Sequence, residues 1–416
     1  MNLRQPRIDK RTSPLRICFI PFRGEGNLGD EAMLIASLEH FSRKFPRAVL
    51  RAAAISRNGC FPVWRFQSNK DKQREQIRQI FTAPGNDGIH LFQKISSLKL
   101  LFRILKNSDF AIFNGGLWFH DYKYYSMLLP LYISILARLA GTRVAFLSIS
   151  AGPIRSTWAK CLGFLCLRLA EQVSVRDQES RDQLQGCCPE CTIYLGADPS
   201  FTLKEDRSNT ENIILSEESF ALKKGRINIG INIFAWYTFD NYYAGGGQIA
   251  RFEESLIEYC RYLIDDCQAC LVFIPTQIPL DTEASLQLAK RCHRDNFITV
   301  VQGYYPPKKY IQLIRVLDMV VAMRLHAHIF SIIAGTPFLS ISYHSKISSL
   351  MQMIDANQIT IDSHNMNPKD LQMITKKIFS SSGEIREHLK KTCHHLREAA
   401  LSNIHQLDML LNNQPR

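Results

Sequence analysis

Short apolar runs of strand length alternate with amphipathic stretches along almost the whole chain. That alternation is the signature of repeated strand–helix–strand units and hence of parallel sheets. In the first half it predicts strands at Leu15–Phe22, Ala48–Ile55, Phe110–Phe113, Arg143–Ile149, Gln172–Val175 and Thr192–Leu195. Helices are predicted from about Asp30 to Arg43, near Lys72–Ile80 and Leu91–Lys106, in a long segment after Asn114-Gly115-Gly116, and at Gln178–Leu184. The most apolar segment, Met127 to Ala140, carries Pro130 and Arg138. It falls short of the roughly 18 uninterrupted apolar residues a membrane span needs, and reads as a buried helix.

Between Leu203 and Arg226 the periodicity lapses into Lys, Glu, Ser and Asn, as in a linker, and then restarts. Strands are expected at Ile227–Ile233, Cys270–Ile274, Phe297–Val301, Met319–Ala322 and Phe338–Ser342, with helices between them. The helix from about His326 to Ala334 stops at Gly335, with Pro337 beyond it, a glycine stop in the usual place. The division predicted is a basic tail over 1–14, a Rossmann-like domain over 15–202, a linker over 203–226, a second Rossmann-like domain over 227–378, and over 379–416 a helix able to pack back on the first domain. The fold class is α/β, with two open parallel-sheet domains facing a cleft. In such sheets ligands bind beyond the carboxyl ends of the strands, so residues just after strands matter most.

Composition narrows the chemistry. With 46% apolar and 21% charged residues, the chain is neither disordered nor fibrous. Lys and Arg outnumber Asp and Glu by 51 to 38, a net charge of +13. That balance favours an anionic partner: a phosphorylated small molecule, an acidic lipid surface or nucleic acid. No nucleic-acid motif accompanies it, so none is expected as a partner. Part of the excess sits in the tail, where Arg4, Arg7, Lys10, Arg11 and Arg16 face only Asp9. Such a tail is simply solvated or attaches loosely to anionic membrane. It leads into a strand, not an apolar run, and so does not read as a signal peptide. The 12 cysteines are too sparse for a disulfide scaffold. The pairs Cys188/Cys191 and Cys267/Cys270 lie too far apart to suggest zinc, and a reduced cytoplasmic protein is expected.

Three strand ends carry the main candidate chemistry. Gly24-Glu25-Gly26-Asn27-Leu28-Gly29 spells the dinucleotide fingerprint between a strand and a helix. It lacks the acidic residue expected after the second strand. What survives is a loop that lets backbone approach a ligand and a helix start that favours an anion. Asp30 and Glu31 complicate that reading, since carboxylates there also simply cap the helix, Asp30 as its N-cap. Met323-Arg324-Leu325-His326 follows a continuous apolar strand. Its arginine offers a fork for carboxylate or phosphate, and its histidine a proton near neutral pH. The bland alternatives are an ion-paired arginine and a helix-capping histidine, with His328 in the core or at its edge. Ser174-Val175-Arg176-Asp177 repeats the arrangement in the first half, Asp177 being a natural cap. Two arginines, one from each half, would clamp an anion.

In their order these pieces resemble the polysaccharide pyruvyl transferase family. The matching blocks are Gly26-Asn27-Leu28-Gly29-Asp30-Glu31-Ala32, Asn114-Gly115-Gly116, Ser174 to Asp177, Ala197-Asp198-Pro199-Ser200-Phe201, Met323 to Ala327, and Gly335 through Tyr343 to Lys346. Asn114 stands where the family often has glycine, and His344 is unusual before the Ser-Lys pair. The resemblance implies a fold similar to two-domain glycosyltransferases of the GT-B type. It also implies transfer of pyruvate from phosphoenolpyruvate, the donor substrate, onto a sugar diol as a cyclic ketal, with phosphate released and no cofactor or metal required. Arg176 and Arg324 would then bind the donor and His326 would act as acid and base. Asn27, Asp30, Glu31, Gly115, Gly116, Asp198 and Lys346 would contact substrate. The acceptor would be a cell-surface polysaccharide or its lipid-linked precursor, reached from the cytoplasm or the inner face of the membrane. Competing readings are a GT-B glycosyltransferase using a nucleotide sugar and a non-catalytic anion-binding protein.

Overall fold

The computed structural model describes residues 14–21, 26–53, 63–65, 95–122, 126–203, 213–218, 222–223, 225–235 and 246–412. The basic tail up to residue 13, the helix expected at Lys72–Ile80, Gly24 and Glu25, and much of the linker lie outside them. The first half is built on β1 (Arg16–Pro21), β2 (Val49–Ala53), β3 (Val63–Arg65), β4 (Phe110–Asn114), β5 (Leu117–Phe119), β6 (Arg143–Ala151), β7 (Ala170–Val175) and β8 (Ile193–Leu195). They form a sheet in the order β3-β2-β1-β4-β6-β7-β8, with β5 added to β6. All pairs are parallel except the edge strand β3, which runs antiparallel to β2. The second half is built on β9 (Ile227–Ile231), β10 (Ala269–Phe273), β11 (Ile298–Val300), β12 (Met319–Ala322), β13 (Phe338–Ser342) and β14 (Thr360–Asp362). Its order is β11-β10-β9-β12-β13-β14, all parallel.

The central strands are apolar without alternation because helices cover both faces of each sheet. In β4 and β12 every residue is buried. On one face of the first sheet, three helices (Ile95–Lys106, Leu128–Leu139 and Thr157–Leu169) bury Leu101, Leu105, Ile133, Ala137 and Cys166. On the other, Leu34, Leu38 and Phe41 of the helix Leu28–Lys44 pack with Ile404, Leu407 and Leu411 against Phe19, Ile112 and Leu147. Those last three leucine and isoleucine side chains come from the terminal helix Ser382–Asn412, which begins on the second half and ends on the first. Asn403 in this helix donates to Ser148 Oγ and to the Val175 carbonyl, both at 3.0 Å.

Several sequence expectations need correction. The segment 127–140 is not a buried helix: Leu128, Ile135 and Leu139 are exposed. No long helix follows Gly116; β5 intervenes, and the helix starts only at Leu128. Cys188 and Cys191 are joined in a disulfide, their Cα atoms 5.3 Å apart, within ordinary bridging distance, so this pair is not reduced. Among the described residues, no helix is long and apolar enough to cross a membrane.

Strand order reverses between β1 and β4 in the first sheet and between β9 and β12 in the second. Ligand sites in open sheets lie at such switch points. Here the two reversals are brought together.

Candidate active site

The loop entering the helix Leu28–Lys44 is where the halves meet. Gly26 has φ +65°, and a Cβ there would collide with the Ile278 carbonyl oxygen. The Gly26 carbonyl accepts from Ile278 N–H at 3.0 Å, and Leu28 N–H donates to the Thr276 carbonyl at 2.9 Å. Asn27 caps the helix, its Oδ1 accepting from the Gly29 and Asp30 amides at 2.9 and 3.4 Å, while its carbonyl accepts from Glu31 N–H. Every N–H of the first turn is therefore taken, and the expected anion site at this helix start is absent. The cap is Asn27 rather than Asp30. What the glycines admit is the other half of the protein. At Gly29 a Cβ would overlap the imidazole of His326, so Gly29 is the seat on which that ring rests.

The two remaining acids of the block are buried. Glu31 accepts from the Tyr304 hydroxyl, and Asp30 supplies negative potential toward Lys346. Gly115 and Gly116 both have positive φ. The Gly115 amide donates to the Leu147 carbonyl, and a Cβ on it would strike Met33 Sδ. Met33 Sδ in turn lies 3.5 Å from an Arg176 Nη1. Gly115 thus shapes the floor under Arg176.

Arg176 leaves the end of β7 and is almost fully buried. Its Nε donates to Ser150 Oγ at 2.7 Å and its Nη1 to Asp198 Oδ2 at 2.6 Å. The other oxygen of Asp198 caps the short helix Pro199–Thr202 through Ser200 N–H at 2.9 Å. Across the cleft, His326 Nε2 lies 3.5 Å from the same Asp198 Oδ2. One carboxylate oxygen therefore faces a guanidinium from the first half and an imidazole from the second. Burial alone would raise the Asp198 carboxyl. The His326 ring and the Arg176 charge outweigh burial and hold it well below the usual carboxylate range.

Arg324 emerges on the same turn as His326 but faces the second half. Its Nε and Nη2 bind Asp281 at 3.1 and 2.6 Å, and its guanidinium lies 4.2 Å above the Phe234 ring. Asp281 is completely buried and also accepts from Gln277 N–H at 2.9 Å. Both arginines are thus ion-paired to buried carboxylates. The clamp of two arginines, one from each half, facing one cleft is not what the fold presents: both are ion-paired, and only Arg176 lines the pocket between the halves. His328 is core: its ring nitrogens contact the Arg324 carbonyl and Ser340 Oγ, both at 2.9 Å, and burial pulls its pKa down to about 4.

A pocket between the halves is lined at its polar end by Arg176, Asp177, Asp198 and Lys346, and by Phe201, Leu325 and Ile329 along its wall. Neither Arg324 nor His326 is in its lining; His326 reaches it only through Asp198. Lys346 is the cation this arrangement brings forward. Desolvation first, then the Arg176 charge, lower its pKa to about 7, against the opposing pull of Asp177, Asp30 and Glu179. Its amide donates to His344 Nδ1 at 3.2 Å, so His344 caps the helix Ser345–Met353, while His344 Nε2 meets the Tyr122 hydroxyl of the first half at 3.2 Å. Asp177 caps the helix Gln178–Gln185 through Ser180 N–H at 2.7 Å. The helix Leu325–Ala334 has no side-chain cap, so its positive end adds to Lys346 and Arg176. The sequence reading missed Asp281, Ser150, Tyr122 and Glu179. Asp281, an acid in the first turn of a helix, carried a signal, but one that the helix dipole alone explains.

Solved structures of similar shape include a glycosyltransferase from Rickettsia africae ESF-5, with 12% identity and a TM-score of 0.57 over 96% of this chain and 100% of that one. A UDP-GlcNAc 2-epimerase from Neisseria meningitidis bound to UDP-GlcNAc gives 12%, 0.55, 96% and 100%. Another UDP-N-acetylglucosamine 2-epimerase gives 7%, 0.59, 97% and 98%. At these identities they establish the fold, the two-domain GT-B architecture. No curated protein sequence matches the chain. The family pattern described as polysaccharide pyruvyl transferase matches residues 27–345, a span that holds Asn27, Arg176, Asp198, Arg324 and His326, and the chain belongs to that family.

Proposed function

We propose that this transferase moves the pyruvyl group of phosphoenolpyruvate onto two hydroxyls of a sugar, forming a cyclic ketal and releasing phosphate. The methylene carbon of the donor takes a proton, C2 becomes electrophilic, and one sugar oxygen bonds to it. The C2–O bond to phosphate then breaks, phosphate leaves with the electron pair, and the second hydroxyl closes the ring. Of the two hydroxyl protons released, one ends in the new methyl group and one on phosphate.

The observation that carries this reading is Asp198 Oδ2, which binds Arg176 and approaches His326 Nε2 to 3.5 Å across the cleft, with Arg176, Asp198 and Lys346 lining one pocket. A donor with a carboxylate and a phosphate needs cations, and Arg176, Lys346 and the uncapped helix end supply positive potential at one end of one pocket. It also needs a proton carrier held in one orientation. His326 fits that role, seated on Gly29 with its Nε2 toward Asp198. Arg324, fixed by Asp281 and stacked on Phe234 outside the pocket, orients the turn that bears His326. Its charge is largely met by Asp281, which shifts the burden of anion binding toward Lys346. The acceptor is a polysaccharide or its lipid-linked precursor.

The test is incubation with phosphoenolpyruvate or with sugar nucleotides over a panel of glycans. Phosphate release coupled to a new ketal methyl signal supports the proposal. Nucleotide release without consumption of phosphoenolpyruvate replaces it with glycosyl transfer.

A further inference from the structure

The three helices that cover one face of the first sheet, Ile95–Lys106, Leu128–Leu139 and Thr157–Leu169, contain no Asp or Glu between them. They carry Lys99, Arg103, Lys106, Arg138, Lys160 and Arg168, all exposed. Of these, Arg138 is paired with Glu171 at 3.0 Å. The helices are neighbours, each packed on the next, so the charges share one surface. The same surface holds half of the exposed large apolar side chains among the described residues. Leu128, Ile135 and Leu139 recur at spacings of seven and four, and Trp158 and Leu165 at seven, which sets each group on one stripe of its helix. Leu139 is 72% exposed and Leu165 50%. An apolar surface mixed with basic charge that, among the described residues, meets a carboxylate only at Arg138 is atypical of a face left to water.

We infer that this helical layer is a docking face for an anionic phospholipid bilayer. Leucine, isoleucine and tryptophan side chains would enter the headgroup boundary, with the long basic side chains reaching lipid phosphates around them. A second copy of the chain suits the face poorly, because an isologous contact would set the same basic surface against itself. In a parallel α/β layer helices run opposite to strands. Leu128 and Trp158, which open their helices, therefore stand at the edge where the strands end and the cleft lies.

The test is co-sedimentation of the full chain with vesicles of phosphatidylcholine alone and of phosphatidylcholine mixed with phosphatidylglycerol. Three sets of variants accompany it: Arg103→Gln/Lys160→Gln/Arg168→Gln, Leu139→Ser/Trp158→Ser/Leu165→Ser, and Arg4→Gln/Arg7→Gln/Lys10→Gln/Arg11→Gln in the tail. The wild type is expected on the anionic vesicles and not on the neutral ones. The charge variant should bind on the order of 100-fold more weakly, at about fivefold per basic residue. The apolar variant should also detach, with circular dichroism and turnover of soluble substrate unchanged in both. Equal binding to the two vesicle types would overturn the inference. So would loss of binding in the tail variant alone, or a wild-type dimer that the apolar variant converts to monomer while neither binds vesicles.

Discussion

Asp198 sets a single carboxylate oxygen between Arg176 and His326, so the residues that matter here act through one another. Replacing His326 by Ala should lower turnover by roughly 10²–10⁴ while donor affinity, read by calorimetry, stays near that of the wild type. Arg324→Ala should behave differently. It strands Asp281, which is fully buried, and breaking a buried pair from one side costs about 3–5 kcal/mol. Urea unfolding should show that loss, whereas Lys346→Met should weaken donor binding without it. The lysine also sets a pH signature. With its pKa lowered to about 7, Lys346 is charged below neutrality and neutral above it. The affinity ratio of wild type to Lys346→Met should thus be largest at acidic pH and shrink as pH rises through about 7. A ratio that stays constant across that range would remove the lysine from donor binding. Asp198 and Lys346 came from the family resemblance, while Arg176 and His326 were legible in the sequence because each follows a strand. Their saturation was not, since Asp281 lies 43 positions from Arg324 and only the fold brings them together.

Elements were legible where physics made them unambiguous. β12 and β13 are continuous apolar runs closed by polar residues, and their predicted and observed bounds coincide. β3, β5 and β14, three residues each, passed unseen, whereas the equally short β8 and β11 lie in longer apolar runs and were read. The glycine loop was seen but given the wrong neighbour. Its pattern shows that something approaches the backbone closely, and chain order alone does not say whether that is a ligand or the loop at Thr276–Ile278. This assignment has a direct check. Gly29→Ala should displace the His326 ring, cutting turnover toward the level of His326→Ala and costing about 1–3 kcal/mol from overpacking. Gly141→Ala is the control: φ is +78° with nothing near the missing Cβ, so it should cost roughly 1–2 kcal/mol and leave turnover intact. Equal turnover in the two variants would break the link between Gly29 and the imidazole.

Across the whole molecule, the two open sheets and the cleft follow from the alternation of strands and helices, as read from sequence. The way the halves are locked does not. Leu28, Ala32, Ala197 and Phe201 of the first half belong to the same buried cluster as β9, β10 and β12, and the terminal helix spans both. Thermal unfolding should accordingly be a single transition. Leu407→Ala, a cavity beneath the first sheet, should lower stability by about 2–5 kcal/mol and shift that transition without splitting it. The same locking brings Arg176 and Asp198 from one half against His326 from the other. The claim that this junction performs pyruvyl transfer is tested most directly by following phosphate release and ketal formation together, in wild type and His326→Ala, with phosphoenolpyruvate and a glycan panel. Stoichiometric phosphate and ketal in the wild type, falling together in the variant, is the predicted result. Phosphoenolpyruvate left unconsumed by the wild type with every glycan, or turnover unchanged in His326→Ala, would contradict it.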